Sequence, residues 1–450
     1  MPEVRSGYYK VKVDTAGFTL QHPSRIFSQA EERDILLTEM SLAFDTHRPP
    51  IPVAAFDRMI IDWPTLNNAD FIQVLRGSAD HYLSVFREPA LLPEDAYKTG
   101  FAFSRVEFQQ VRAALMALAD YCLGMASAAE RQWQSASLTK RNHWERECKE
   151  WTAPLLSKNF ILGTTQALAG IDAKVLDLVM DYFTMDAEQG DFQNAGDGYL
   201  PPFIALGSSF IFSPYALKTM LPERNLLYVI NKRNRTRFDE LISAHLEPAL
   251  LEEAARLIAQ IPGVEVAKNV KWTGGEIDIL VFQSSSKVAM HVQAKAALPP
   301  QGARMTRRIE DQTLKAVDQL KRFDAKSAKF RNELCARTFG KEIVPLSWVS
   351  GILSRSSLGT AKAWSAVEGI AILNPLLLTG AVSRIMADSK LSLADLPNIT
   401  QTLVREITNR AVKGWTNNRI NIFGTEVEVP LLDLDYEQIT KIRHQLFFQS

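Results

Sequence analysis

Apolar residues recur at helical spacing through most of the first half of the chain. Val111, Leu115, Leu118 and Cys122 fall on one face of FQQVRAALMALADYCLGMA, and Ile171, Val175, Leu178, Val179 and Phe183 form a similar face further on. Ser28 with Glu31, and Ser104 with Glu107, have the Ser-x-x-Glu spacing of a capping box. There the two side chains satisfy each other's free backbone N–H, so each pair predicts a helix start. Alternation of period two is rarer. YYKVKV predicts one strand near the N-terminus, and FIALG with SFIFSP predicts a short hairpin around Gly207. Residues 1–235 therefore read as a mainly α-helical domain.

The period changes after Asn231–Arg237, a basic polar run that reads as a linker or domain edge. A helical pattern interrupted by Pro248 resumes as ALLEEAARLIAQI, with Leu250, Ala254, Leu257 and Ile258 on one face. VEVAKNV, GEIDILVF and KVAMHVQAKA then read as strands, about Arg304 to Lys326 as a long helix, and IVPLSWVSGIL as a strand. GIAILNPLLL reads as a further strand running into a loop or helix. This order predicts an α/β fold, a mixed central sheet flanked by helices, over residues 236–390. Residues 391–450 read as a helical C-terminal extension packed on that domain, with INIFGTEVEV as a candidate strand.

Composition narrows the class only a little. The 450 residues suggest two or three domains, and 51 basic residues balance 51 acidic ones. That excludes a globally basic nucleic-acid coat but leaves room for a local patch. Three cysteines with no C-x-x-C pair are no disulfide framework, so a reducing, cytoplasmic compartment is expected. His143, Cys148 and Cys122 fit no zinc spacing. The acidic, glycine-rich stretch Asp186–Asp197 lacks the ligand order of an EF-hand and reads as a solvated loop. The N-terminus has no apolar leader and no uninterrupted apolar run reaches the roughly 18 residues of a membrane span.

The chemistry concentrates between Glu252 and Lys295. Residues two apart in a strand share a face. Glu276 and Asp278 are thus expected to point one way, with Ile277, Ile279 and Val281 the other. His291, Gln293 and Lys295 share one face of the next strand, with Met290, Val292 and Ala294 opposite, and Ser284–Ser286 supplies a turn. One sheet face then collects carboxylates, an amide and an amine. Phosphodiester hydrolysis needs such a set. Oxygen ligands hold a hard divalent cation that activates water, and a lysine stabilises charge developing on the phosphoryl oxygens. His291 has two readings, a packing residue or a phosphate contact.

Gly275-Glu-Ile-Asp278 followed by Gln293-Ala-Lys295 resembles the motif of the PD-(D/E)XK, or restriction-endonuclease-like, nuclease superfamily. The Q-x-K form is similar to that of type IV restriction enzymes. LEEAARLIAQIPGVEVAKNVKWTGGEIDIL also resembles a bacterial family of Holliday-junction-resolvase-like nucleases. Glu252 falls where that family carries its helical glutamate, with Ala255, Gly263 and Asn269 supporting the register and Glu253 as the alternative. The resemblance spans roughly residues 236 to 375. It departs at Gln293, which replaces the usual acid, and in lacking a proline before Asp278.

The resemblance implies a magnesium-dependent endonuclease acting on DNA, with manganese as a substitute metal and a role in bacterial defence. Asp278, Glu252, Gln293 and Glu276 would hold the metal, and Lys295 would complete the catalytic set with Asp278, Gln293 and Glu252. A homodimer would suit double-strand cutting, and the first domain would meet a partner or effector. The alternative is an inactive nuclease-like module that only binds nucleic acid or acts as a scaffold.

Downstream, Arg304 to Lys341 holds eleven basic and five acidic residues. Arg308, Gln312, Lys315, Gln319 and Arg322 form one helical stripe, opposite Ile309, Ala316, Leu320 and Phe323. A solvated helix face explains the same charges. Beside a nuclease centre the stripe, with Arg304, reads as a contact to the DNA backbone, and the resemblance implies that Gln312 reaches the site.

Overall fold

The computed structural model describes residues 9–14, 17–42, 53–61, 69–85, 91–186, 201–219, 222–300, 303–340, 343–422 and 424–448. The chain folds as two compact units, residues 44–245 and residues 1–43 with 246–450. The boundary expected after residue 235 thus lies between His245 and Leu246. The basic run before it is helical rather than a linker, in Pro222–Arg233 and Arg235–Phe238, with Asn234 Oδ1 accepting from the Arg237 N–H at 2.9 Å.

The unit of residues 44–245 is built around the helix Arg105–Ser135. Its capping box forms as the sequence predicts. The Glu107 N–H donates to Ser104 Oγ at 3.1 Å, and the Ser104 N–H donates to Glu107 Oε2 at 2.7 Å. Val111, Leu115, Leu118 and Cys122 are all buried. Among the described residues this is the one helix long and apolar enough to cross a membrane, and 83% of its apolar window is buried inside the protein. The helix Ala173–Phe183 is rotated from the expected face: Leu176, Val179, Met180 and Phe183 are buried and Leu178 is exposed. The strands Phe203–Leu206 and Ser209–Phe212 form the predicted hairpin at Gly207, within a four-stranded sheet completed by Leu155–Ser157 and Thr184–Asp186. Residues 187–197 of the acidic, glycine-rich stretch lie outside the described residues.

In the other unit, β1 (Lys10–Asp14), β2 (Gly17–Gln21) and α1 (Arg25–Leu42) come from the N-terminus. The capping box expected at Ser28 does not form. The helix starts earlier, with Ser24 Oγ accepting from the Phe27 N–H, and Glu31 instead accepts from Tyr9 Oη at 2.9 Å. Next come α2 (Ala244–Ile258), β3 (Val264–Trp272), β4 (Gly275–Gln283) and β5 (Val288–Lys295). They are followed by α3 (Ala303–Asp324), α4 (Ala328–Phe339), β6 (Ser347–Ser354), α5 (Ala361–Ala366) and β7 (Ala371–Leu373). The end of the chain contributes α6 (Pro375–Ala387), α7 (Leu396–Ala411), β8 (Val412–Ile422), β9 (Thr425–Leu434) and α8 (Tyr436–Phe448).

The central sheet has five strands in the order β7-β6-β5-β4-β3. The pairs β3–β4 and β4–β5 are antiparallel, whereas β6 runs parallel to both β5 and β7. Leu250, Leu251, Ala254, Leu257 and Ile258 of α2 share one core with Ile279, Val281, Met290 and Val292. Ile277 and Leu280 pack instead with Phe323 and Leu334. The mixed sheet predicted from the strand and helix order is therefore present.

The expected C-terminal helical extension is corrected. Residues 412–434 form the long hairpin β8–β9, which joins the N-terminal strands in a second sheet, β1-β2-β9-β8. The first residues belong to this unit for a further reason. Asp34 is 1% exposed, and its Oδ1 accepts from the N–H groups of Leu358 at 2.9 Å and Gly359 at 2.8 Å, and from the Trp364 indole at 3.1 Å. This carboxylate pins the loop between β6 and α5, where Gly359 holds φ +110° and a Cβ would strike the backbone of Glu310. Asp34→Ala would leave those buried donors unpaired, and is expected to cost about 3 kcal/mol in a denaturant titration.

Candidate active site

The strands β4 and β5 pair from Gln283–Val288 as far as Ile279–Val292 and then part. Asp278 is the first residue past that last pair, and its Oδ2 bridges the gap by accepting from the Ala294 N–H at 2.6 Å. Across β3, Asn269 takes φ +56° and the register passes over the Asn269–Asp278 pair. This break explains why Ile277 does not share the face of Ile279 and Val281, contrary to simple alternation. The pleat is interrupted where the carboxylate sits.

Gln293 is buried and its Nε2 donates to the Glu276 carbonyl at 2.6 Å. Its amide nitrogen is thereby fixed on β4, leaving Oε1 as the end able to ligate. Lys295 ends β5 and acts on Asp278 as a charge of opposite sign. Burial raises the Asp278 carboxyl above its ordinary range, against the Ala294 hydrogen bond and Lys295, and the Glu276 charge adds to the rise.

The glutamates of α2 stand in different surroundings. Glu252 is exposed on α2 and ion-paired with Lys268 of β3. Glu253 is raised by burial and faces the charges of Arg355 and Arg256. Glu247, at the start of α2, is the glutamate whose carboxyl is raised by burial and then by Asp278 and Glu276, with Lys295 opposing. Five residues at about 100° each place Glu252 on another side of the helix. The signal was in the pattern. Glu247 lies three and four residues before Leu250 and Leu251, in phase with them but at the exposed start of the helix.

His291 belongs to a different set. Its Nε2 lies 2.9 Å from both Asp324 Oδ1 and Ser350 Oγ, and its ring packs on Phe323. The packing and hydrogen-bonding reading therefore holds for it. A second residue that the sequence did not signal is Ser354, paired with Lys295 in the parallel β5–β6 ladder. It is 5% exposed and its Oγ has no hydrogen-bond partner.

On α3, Arg304, Arg308, Lys315 and Arg322 are exposed and Gln312 and Gln319 half-buried, while Ile309, Ala316, Leu320 and Phe323 are buried. The stripe thus forms as its spacing predicts. Gln312 makes no hydrogen bond to a site residue.

Glu247, Asp278 and the Gln293 Oε1 offer oxygen donors only, the chemistry that suits a hard cation. Among the described residues no group of three or more His, Cys, Asp or Glu side chains stands close enough to hold an ion. The fit therefore relies on the amide and on backbone carbonyls beside two acids. A raised carboxyl binds its proton more tightly in the folded state than in the unfolded one. Without metal, the stability these two groups contribute is greatest below about pH 4, and falls as pH rises through their folded values. Glu247→Gln and Asp278→Asn are each expected to raise the melting temperature at neutral pH in chelator and to flatten its fall as pH rises above about 4.

No protein-family model, curated protein or solved structure matches the chain.

Proposed function

We propose that residues 246–390 form a restriction-endonuclease-like core that hydrolyses phosphodiester bonds in DNA with magnesium, or with manganese in its place. The observation that carries this reading is the Asp278 carboxylate held by the Ala294 N–H where β4 and β5 part, with the charges of Lys295 and Glu247 acting on it. The order of α2, three antiparallel strands, α3 and a parallel strand supports it. Asp278, Glu247 and the Gln293 Oε1 would hold the cation, which supplies polarisation of the phosphate and a more acidic bound water. Lys295 is placed to orient the attacking water and to neutralise charge growing on the phosphoryl oxygens. Gln293 adds a ligand without adding charge. Glu276, exposed on β4, contributes negative potential rather than a required ligand. The setting is the cytoplasm and defence against foreign DNA, with residues 44–245 meeting a partner and a homodimer serving double-strand cutting.

The test is incubation of the purified protein with plasmid and linear DNA. Cleavage is expected with magnesium or manganese and none with chelator. A second reading has its own observation: the Gln293 nitrogen tied to the Glu276 carbonyl, and the shortage of acids, suit a module that binds DNA without cutting it. Salt-dependent retention with no cleavage under any metal would favour that module. In either case Arg308→Ala and Lys315→Ala are each expected to weaken DNA binding uniformly across sequences. Each should also reduce the slope of log K against log salt by about one.

A further inference from the structure

A cavity of about 370 Å³ opens between α1, α5 and α7, within the small-ligand size range. Its floor is apolar, with Val367, Ile372 and Val404 all buried. Two guanidinium groups line it, Arg33 of α1 and Arg405 of α7. Arg33 is half-buried and has no carboxylate partner among the described residues. Arg405 is exposed and donates to the neighbouring Thr402 Oγ1 at 3.2 Å, so the half-buried charge is that of Arg33. A guanidinium cannot shed its proton, so holding one half-buried without a counter-ion costs free energy that an anion would return. Glu368 also lines the cavity, exposed and without an ion pair to either arginine. The Trp364 ring also lines the cavity, with its indole N–H fixed on Asp34.

We propose that this cavity binds a nucleoside monophosphate. Arg33 and Arg405 would clamp the phosphate, for which the planar guanidinium fork is suited. The apolar floor and the Trp364 ring would take the flat base. Glu368 would accept from an exocyclic amine or a ribose hydroxyl, groups that a bare phosphate or a dicarboxylate lacks. The site is separate from Asp278 and does not rest on the nuclease reading.

Isothermal titration of the full-length protein with AMP, GMP, adenosine and inorganic phosphate tests it. One saturable site for AMP or GMP is expected, with adenosine and phosphate each weaker by about tenfold or more, the factor of one charge-assisted hydrogen bond. Arg33→Ala and Arg405→Ala should each weaken the nucleotide by a similar factor while keeping the wild-type circular dichroism spectrum. Arg33→Lys, which keeps the charge and loses the fork, should fall between wild type and Arg33→Ala and covers the case of a misfolded alanine variant. No saturable heat with either nucleotide at millimolar concentration would overturn the proposal. So would a nucleotide no tighter than phosphate, or undiminished binding in the arginine variants.

Discussion

Asp278→Ala and Lys295→Ala are each expected to lower magnesium-dependent DNA cleavage about 10³-fold, the scale of removing one preorganised electrostatic group. They should do so for different reasons. Asp278 spans the gap between β4 and β5 to the Ala294 N–H, and its remaining oxygen is the strand ligand proposed for the cation. Its loss should abolish metal binding along with turnover. Lys295 carries the positive charge that offsets Asp278 and Glu247. Removing it leaves the oxygen donors in place, so the metal should still bind, and more tightly, while turnover is lost. Calorimetric titration with manganese beside a plasmid assay separates the two. Loss of cleavage in both variants with unchanged metal binding in both would place the cation elsewhere.

Glu247→Gln is expected to reduce cleavage about 10²-fold, whereas Glu252→Gln should stay within about twofold of wild type. The contrast follows from their places on α2. Glu247, although its side chain is largely exposed, lies within reach of the charges of Asp278, Lys295 and Glu276. Glu252 is exposed and paired with Lys268, a surface ion pair of the kind worth about 1 kcal/mol or less. The opposite ranking would restore the assignment expected from the sequence and remove the helical acid from the centre described here.

The same pair of residues shows how far the sequence could be read. Glu252 is the residue the family resemblance implies, with Ala255, Gly263 and Asn269 supporting the register, yet it is Glu247 that the charges of Asp278 and Lys295 reach. The α3 stripe and the hairpin at Gly207 were legible because a local period or turn determines them. Ser104 was legible as a cap and Ser28 was not. At Ser28 the partner glutamate is drawn away by Tyr9 and His22, contacts that no local window contains. Strict alternation failed at Asp278 because the strands part there. The pairing of β2 with β9 joins residues about 400 positions apart, Phe18 with Val427, and leaves no trace in either segment alone. The Asp34 anchor is hidden for the same reason: its partners at Leu358, Gly359 and Trp364 are distant in the chain.

The most direct test of the centre is the anomalous scattering of manganese in crystals of the protein. A single peak within ligand distance of Glu247 and Asp278, beside the Gln293 amide oxygen and absent from Asp278→Ala crystals, is the predicted result. A peak at Glu252 and Lys268, or no peak near Asp278 at saturating manganese, would contradict it.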